Sequence, residues 1–452
     1  MKLQQALNVQ RGDVVSFIGA GGKTSALFRL SRELSELGWR VVCTTTTRIA
    51  EEELAQAMAQ LHISEPALRP EAISRLLTAH GSVFLHTRIE GGNVYGLHTK
   101  TIDALIDAVD SDVILIEADG ARNLPFKAPY AHEPLIPPCA TLVVPVAGYD
   151  SIGQPLDADH VYNPEAMIER YGYLSGDNIK GPWVASVLRD EELGLKNVPD
   201  RARIVALLNK VPYTRSHRVR ARIVSKLILR QNRISAVAIG SVQEAHPILE
   251  SQRRIAAIVL AAGLSSRMGK MKVLLPWEGG RPIIRVIVDR LKRLRLDDLV
   301  VVTGHLAAQV AGAIDQEPAR IVHNREYREG DMLSSLKAGL RALGPEIAAA
   351  MIVLGDQPQL DNRVVHQVMN AYVEGRGLIV APSYKERRGH PILIDRSFWN
   401  EILDLPPGGS PRDVINAHAD QIYYVNVDTD SVLRDIDTPQ DYEQERKRAG
   451  LG

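Results

Sequence analysis

Two stretches of this sequence set small residues and cations directly after an apolar run. One begins at Ser16 and reads SFIGAGGKTS, with Gly19, Gly21 and Gly22 ahead of Lys23 and Thr24. The other begins at Leu260 and reads LAAGLSSRMGKMK, where Ala261, Ala262 and Gly263 lead to Ser265, Arg267 and Lys272. Small residues let a backbone turn and approach a ligand with no side chain intervening. Hydroxyls and backbone N–H groups beside Arg and Lys match the oxygens of a phosphate chain. The chemistry such groups suit is the binding and transfer of phosphates. The plain alternative in each case is a strand–turn–helix with exposed cations, and for Lys23 a solvated lysine in a first helical turn.

The elements that must carry these loops follow from periodicity. DVVSFIGAGG reads as a buried strand entering a glycine turn, and KTSALFRLSRELSELG as a helix through Ala26, Leu27, Leu30, Leu34 and Leu37 that stops at Gly38. RVVCTTTT, SVFLHT, DVILIEADG, TLVVPVAG, RIVALLNKV and SAVAIGS read as further strands. A new strand, IAAIVLAAG, begins after the polar stretch Glu250 to Arg254, and DDLVVVTG, ARIVHN, AAMIVLGDQP and GLIVAPSY continue the alternation. Strands alternating with helices predict parallel sheets covered on both faces. The fold class expected is α/β, in two domains, residues 1–250 and 251–452.

Bulk composition narrows the function. The 452 residues suit two or more domains, and 45% hydrophobic content suits packed cores. Lys+Arg and Asp+Glu both number 54, a balance that points to no nucleic-acid and no membrane-surface partner. Cys43 and Cys139 are the two cysteines, too few for a disulfide framework and suited to the cytoplasm. Neither a signal peptide nor a run long enough to cross a bilayer is expected.

The string from Leu260 resembles the signature of GT-A-type, MobA-like nucleotidyltransferases, L-A-(A/G)-G-x-S-x-R-M-G-x-x-K, filled at Leu260, Ala261, Gly263, Ser265, Arg267, Met268, Gly269 and Lys272. VVTGH, HNREYREGDMLSSLKAGL, LGDQP, RGHPILI and DIDTPQDY follow in the family's order. Within that class the likeness is greatest to molybdenum cofactor cytidylyltransferases, through Ala262, EGDMLSSLKAGL and PSYKERRGHPIL. The resemblance implies a GT-A/Rossmann-like domain that transfers CMP from CTP to the phosphate of the molybdenum cofactor (molybdopterin) and releases pyrophosphate. It implies Arg267 and Lys272 on the triphosphate, and Mg²⁺ at Asp356 and Asp437. The plain readings are a turn-forming Asp356 before Pro358 and a helix-capping Asp437, a place Thr438 could take instead. Ser334 and Ser335 are helix caps or phosphate contacts. His390 is an acceptor contact or part of a turn, and His305 a strand-end residue. GTP as donor, or another phosphate acceptor, stays open.

Gly22-Lys23-Thr24 copies the end of a Walker A motif, although Phe17 stands where that motif has its first glycine. Glu117 and Asp119 follow a later apolar run, as Walker B acids do. In LLNKVP, Pro212 replaces the aspartate of a guanine-reading motif. GAGGKTS, TTTTRI, EADGARNLPFKAP, HEPLIP and LLNKV together resemble the YqeC family, whose members are linked to maturation of selenium-dependent molybdenum hydroxylases. That resemblance implies a P-loop-like domain binding ATP or another nucleotide, with a molybdenum hydroxylase as client. Arg48, Arg122, Lys127, His132 and Glu133 are further candidates there. The TTTT run is either ligand-facing or simply β-branched strand. A chaperone that nucleotides switch, without transfer activity, is the reading from another class.

Overall fold

The computed structural model describes residues 1–315, 317–328 and 332–451. The chain divides into two compact units, Met1–Gln252 and Arg253–Gly452.

Unit 1 is built on a nine-stranded sheet. Its strands are β1 (Asp13–Gly19), β2 (Val41–Thr45), β3 (Gln60–His62), β4 (Ser82–His86), β5 (Val113–Glu117), β6 (Leu142–Gly148), β7 (Arg203–Asn209), β8 (Ile234–Gly240) and β9 (Ile248–Arg253). They lie in the order β9-β8-β7-β6-β1-β5-β2-β4-β3. Strands β1 to β8 are joined by parallel pairings. Central parallel strands are covered on both faces and read as continuous apolar runs. Val15 and Phe17 accordingly pack into one core, and Val14 and Ile18 into the core on the opposite face.

Helix α1 (Lys23–Glu36) buries Ala26, Leu27, Leu30 and Leu34. Leu37, expected on the same stripe, caps the helix and is exposed, because the chain leaves helical geometry there and Gly38 turns away at φ +77°. A separate three-stranded antiparallel sheet (Arg48–Ala50, Arg88–Glu90 and Asn93–Tyr95) was not anticipated.

Unit 2 has an eight-stranded mixed sheet. Its strands are β10 (Ile255–Ala261), β11 (Asp298–Thr303), β12 (Arg320–His323), β13 (Ala349–Leu354), β14 (Ile379–Tyr384), β15 (Arg387–Arg388), β16 (Ile392–Asp395) and β17 (Ile422–Asn426). The order is β12-β11-β10-β13-β16-β14-β15, with β17 paired to β14. β10 runs parallel to β11 and β13, while β16 is antiparallel to β13 and β14. Helices α2 (Met332–Ala342), α3 (Pro411–Ala417) and α4 (Pro439–Arg448) matter for the site. In each unit the glycine-bearing loop leaves the C-terminal end of a central strand where the chain switches sides, the place where open α/β sheets bind ligands.

Candidate functional site

In unit 2 the loop after β10 is shaped by its own hydroxyl. Ser265 takes a left-handed backbone (φ +53°), and its Oγ accepts from the Lys272 N–H at 3.1 Å. Its carbonyl accepts from the Met268 N–H at 3.0 Å. Leu260 and Ala262 secure the loop base through carbonyls that accept from Gly355 and His305. Gly263 is exposed, and a Cβ there would meet nothing within 4 Å, so the backbone faces open space at that point.

This arrangement brings Lys272 onto two carboxylates. Its Nζ lies 2.8 Å from Asp356 and 2.8 Å from Asp437. Arg267 reaches the other Asp437 oxygen at 3.2 Å, with its own side chain 73% exposed. Burial opposes the charge on Lys272, but Asp356 and Asp437 outweigh it and hold the amine above its ordinary range. The hydrogen bond from Lys272, more than the attraction of Arg267, holds the Asp437 carboxyl low. Asp437 does not cap α4. Thr438 does, accepting from Asp441 N–H, and Asp441 closes the capping box. The Asp356 carboxylate likewise engages Lys272. Asp435, two positions before Asp437, was missed from the sequence; it accepts from Gln357 at 2.6 Å.

Two carboxylates sharing one ammonium form a partly exposed acidic corner. Mg²⁺ is typically held by one or two carboxylates together with phosphates and waters, so these residues fit that ion. Among the described residues no group of three or more His, Cys, Asp or Glu side chains is arranged to hold a metal unaided.

Ser334 and Ser335 lie in the first turn of α2, where the Asn324 side-chain amide donates to both hydroxyls at 2.8 and 3.1 Å. Residues 329–331 of the preceding segment lie outside the described residues. His390 precedes a cis peptide to Pro391 and is pushed down to about 4 by burial, with Arg412 and Arg388 adding to the effect. It lines a cavity together with Leu260. His305 packs against the Tyr327 ring.

In unit 1 the glycines have steric causes. Gly21 (φ +86°) has no room for a Cβ, which would fall 2.2 Å from the Gly148 nitrogen. At Gly22 (φ +111°) it would fall 2.5 Å from Asn209 Nδ2. The loop is also tied inward: N–H groups of Gly19, Ala20 and Gly21 donate to Asp119 Oδ2, Val146 O and Leu124 O. The first-turn amides of α1 remain, as helix geometry leaves them no internal acceptor.

Lys23 is no solvated lysine. It is 4% exposed, donates to the Gly19 carbonyl at 2.8 Å, and lies 3.2 Å from Asp119 and 3.5 Å from Glu117. Asp119 and Glu117 hold its amine above the ordinary range against the pull of burial. Thr24 Oγ1 donates to Glu117 at 2.7 Å. Burial pushes the Glu117 carboxyl up to about 7 even beside Lys23.

These residues floor a cavity of about 630 Å³ whose walls include Arg48, Arg122, His132, Glu133 and Tyr162. Lys127 sits behind it, 3.0 Å from Asp119 and 3.0 Å from Glu133. In the TTTT run, Thr44, Thr45 and Thr46 donate to backbone carbonyls, and Thr47 lines the cavity. Asn209 is a brace: its Nδ2 donates to the Gly21 carbonyl at 2.8 Å and its Oδ1 accepts from Val242 N–H at 3.0 Å.

The family model described as YqeC protein matches residues 15–165. The uncharacterized protein YqeC of Escherichia coli (strain K12) is 32% identical over 241 residues, covering 53% of this chain and 91% of that protein. The chain belongs to the YqeC family. Beyond its YqeC region it carries a MobA-like NTP transferase domain, matched over residues 257–422. Here it is 29% identical over 195 residues to the molybdenum cofactor cytidylyltransferase of E. coli (strain K12), covering 43% of this chain and 96% of that one. A nucleotidyl transferase structure from Methanothermobacter thermautotroptrophicus is also similar, at 24% identity and a TM-score of 0.39, covering 44% of this chain and 98% of that one. This YqeC-family chain therefore joins an α/β unit of the YqeC type to a nucleotidyltransferase-type enzyme domain. Among the described residues no helix is long and apolar enough to cross a membrane.

Proposed function

We propose that unit 2 transfers CMP from CTP to the phosphate of the molybdenum cofactor, with release of pyrophosphate. We propose also that unit 1 binds ATP or another nucleotide in support of maturing a molybdenum hydroxylase, including selenium-dependent ones, in the cytoplasm. The observation that carries the first reading is the convergence of Lys272, Arg267, Asp356 and Asp437 beside the loop after β10.

The reaction asks little covalent chemistry of the protein. An oxygen of the acceptor phosphate attacks the α-phosphorus of CTP, and the bond from that phosphorus to the pyrophosphate oxygen breaks. The acceptor oxygen is already anionic, so neither a general base nor a protein nucleophile is required. What the chain must supply is position and positive charge. Leu260, Ala261, Ala262, Gly263 and Ser265 form the backbone cradle. Lys272 and Arg267 exchange their carboxylate partners for triphosphate oxygens and carry the charge that grows on the leaving group. Asp356 and Asp437 would hold Mg²⁺. Bound there, the ion would neutralise charge on the phosphate oxygens. Ser334, Ser335 and His390 face the acceptor in this reading.

In unit 1, Gly19, Gly21 and Gly22 set the loop, Lys23 and Thr24 meet the phosphates, and Glu117 orients Thr24. Release of pyrophosphate from CTP by the purified chain, dependent on both Mg²⁺ and molybdenum cofactor, is the expected result. Absence of release with active cofactor and a folded chain refutes the transfer reading.

A further inference from the structure

Unit 2 holds a second cavity, of about 340 Å³, lined by residues of the sheet, α2 and α3. That size lies within the range of about 300–1,000 Å³ common for small-molecule sites. It starts at Leu260, the strand residue that leads into the loop carrying Lys272. One part of its wall is apolar, with Leu336 from α2 and Ile392 from β16 among the lining residues. The rest is basic: Arg387, Arg388 and Arg412 line it with His390, and among the described residues no Asp or Glu does.

Among the described residues these arginines have no carboxylate partner. Arg388 donates only to the neutral Asn416 side chain, at 3.2 Å. Among the described residues, neither the Arg387 nor the Arg412 guanidinium has a hydrogen-bond or ion-pair partner. Elsewhere in the unit, Arg285 is paired with Glu317, Arg281 with Asp289 and Arg434 with Glu445. Several guanidiniums without carboxylates around a half-apolar cavity suit an anion attached to an apolar or aromatic body. A phosphate monoester offers the oxygens that a guanidinium fork binds in pairs.

We propose that this cavity is the acceptor site, in which Arg387, Arg388 and Arg412 hold the phosphate monoester of a substrate whose flat heterocycle rests on the apolar wall. The proposal builds on the transfer reaction above and adds the residues that select its acceptor. His390 stays neutral among these arginines, so the heterocycle edge meets a hydrogen-bonding group without a further charge.

The test uses the full chain and 6-hydroxymethylpterin phosphate as probe, followed by pterin fluorescence, with unphosphorylated 6-hydroxymethylpterin as comparison. Arg412→Gln and Arg387→Gln alter exposed side chains and should leave thermal unfolding unchanged. The phosphorylated probe should bind wild type about tenfold or more tightly than the unphosphorylated one, as expected for charge-assisted contacts. Each variant should lose about tenfold for the phosphorylated probe, with affinity for CTP and for the free pterin retained. Inorganic phosphate should compete. Unchanged probe affinity in both variants overturns the proposal, and so does a loss confined to CTP. With molybdenum cofactor as acceptor, the variants should raise KM for the cofactor and leave kcat near wild type. Transfer that proceeds with that KM unaltered removes the cavity assignment and spares the reaction. Probe binding that depends on these arginines, in a chain releasing no pyrophosphate, removes the reaction and spares the cavity.

Discussion

Asn209→Ala should loosen the glycine loop over residues 19–22 of unit 1 without altering any residue proposed to meet the ligand. Asn209 is 2% exposed, and its amide joins the Gly21 carbonyl to the Val242 N–H at 2.8 and 3.0 Å. Truncation leaves both backbone groups unpaired in a buried place. Each unsatisfied group costs about 1–3 kcal/mol, so the pair costs about 2–4 kcal/mol once water entry offsets part of the loss. For a unit of this size that lowers Tm by roughly 5–15 °C. The Gly21 N–H keeps its bond to Leu124, so the loop stays anchored on one side and nucleotide affinity should fall by about tenfold. Calorimetry of the full chain reads the first effect and titration with ATP the second. Asn209→Asp should be at least as damaging, because it turns an acceptor toward the Gly21 carbonyl. CTP-dependent transfer should survive both changes. A unit 1 transition within about 1 °C of wild type would refute the brace.

Glu117→Gln should flatten the pH dependence of unit 1. The folded carboxyl sits at about 7 against an ordinary 4.5, so the native state keeps a proton that the unfolded chain has released. Its contribution is complete below pH 4.5 and is lost as pH rises through 7, up to about 3 kcal/mol. Denaturation midpoints between pH 5 and 8 measure it, and an equal slope in the variant contradicts it. Lys23→Ala leaves Glu117 and Asp119 buried with one cation fewer, at a cost of about 3–5 kcal/mol. It should abolish ATP binding, read by titration calorimetry, while sparing transfer from CTP. Asp356→Ala should reduce pyrophosphate release by about 100-fold or more with the fold intact by circular dichroism. Near wild-type turnover at saturating Mg²⁺ would exclude that role.

The loops were legible in the sequence because a backbone that turns sharply after an apolar strand needs small residues there, and both stretches have them. The strands were legible because central parallel strands are apolar throughout. What spacing cannot carry is convergence. Lys272 meets Asp356 across 84 positions because β10 and β13 lie side by side, and Asp437 across 165 because the Ile436 N–H donates to the Asp356 carbonyl and brings that segment to the same corner. Likeness to a known family supplied those two aspartates, and left out Asp435. Asn209 was read against a guanine-binding pattern, whereas its work is to hold Gly21 across strand β6, a relation that exists only once β7, β6 and β1 lie side by side. The three-residue strands Arg48–Ala50, Arg88–Glu90 and Asn93–Tyr95 are too short to show an alternation. Arg387 and Arg388 stood out in the sequence only as part of PSYKERRGHPIL, and Arg412, more than twenty positions on, joins them at one cavity only once the chain is folded.

Transfer of the α-phosphoryl label reports directly whether unit 2 is a cytidylyltransferase. The wild-type chain, Mg²⁺ and molybdenum cofactor are mixed with α-labelled CTP in one reaction and α-labelled GTP in another, and the label is followed into the cofactor fraction as unlabelled pyrophosphate is released. Label from CTP should appear on the cofactor in step with pyrophosphate, with a kcat/KM for CTP well above that for GTP. Equal use of the two nucleotides, preference for GTP, or nucleotide binding with no label in the cofactor would contradict it.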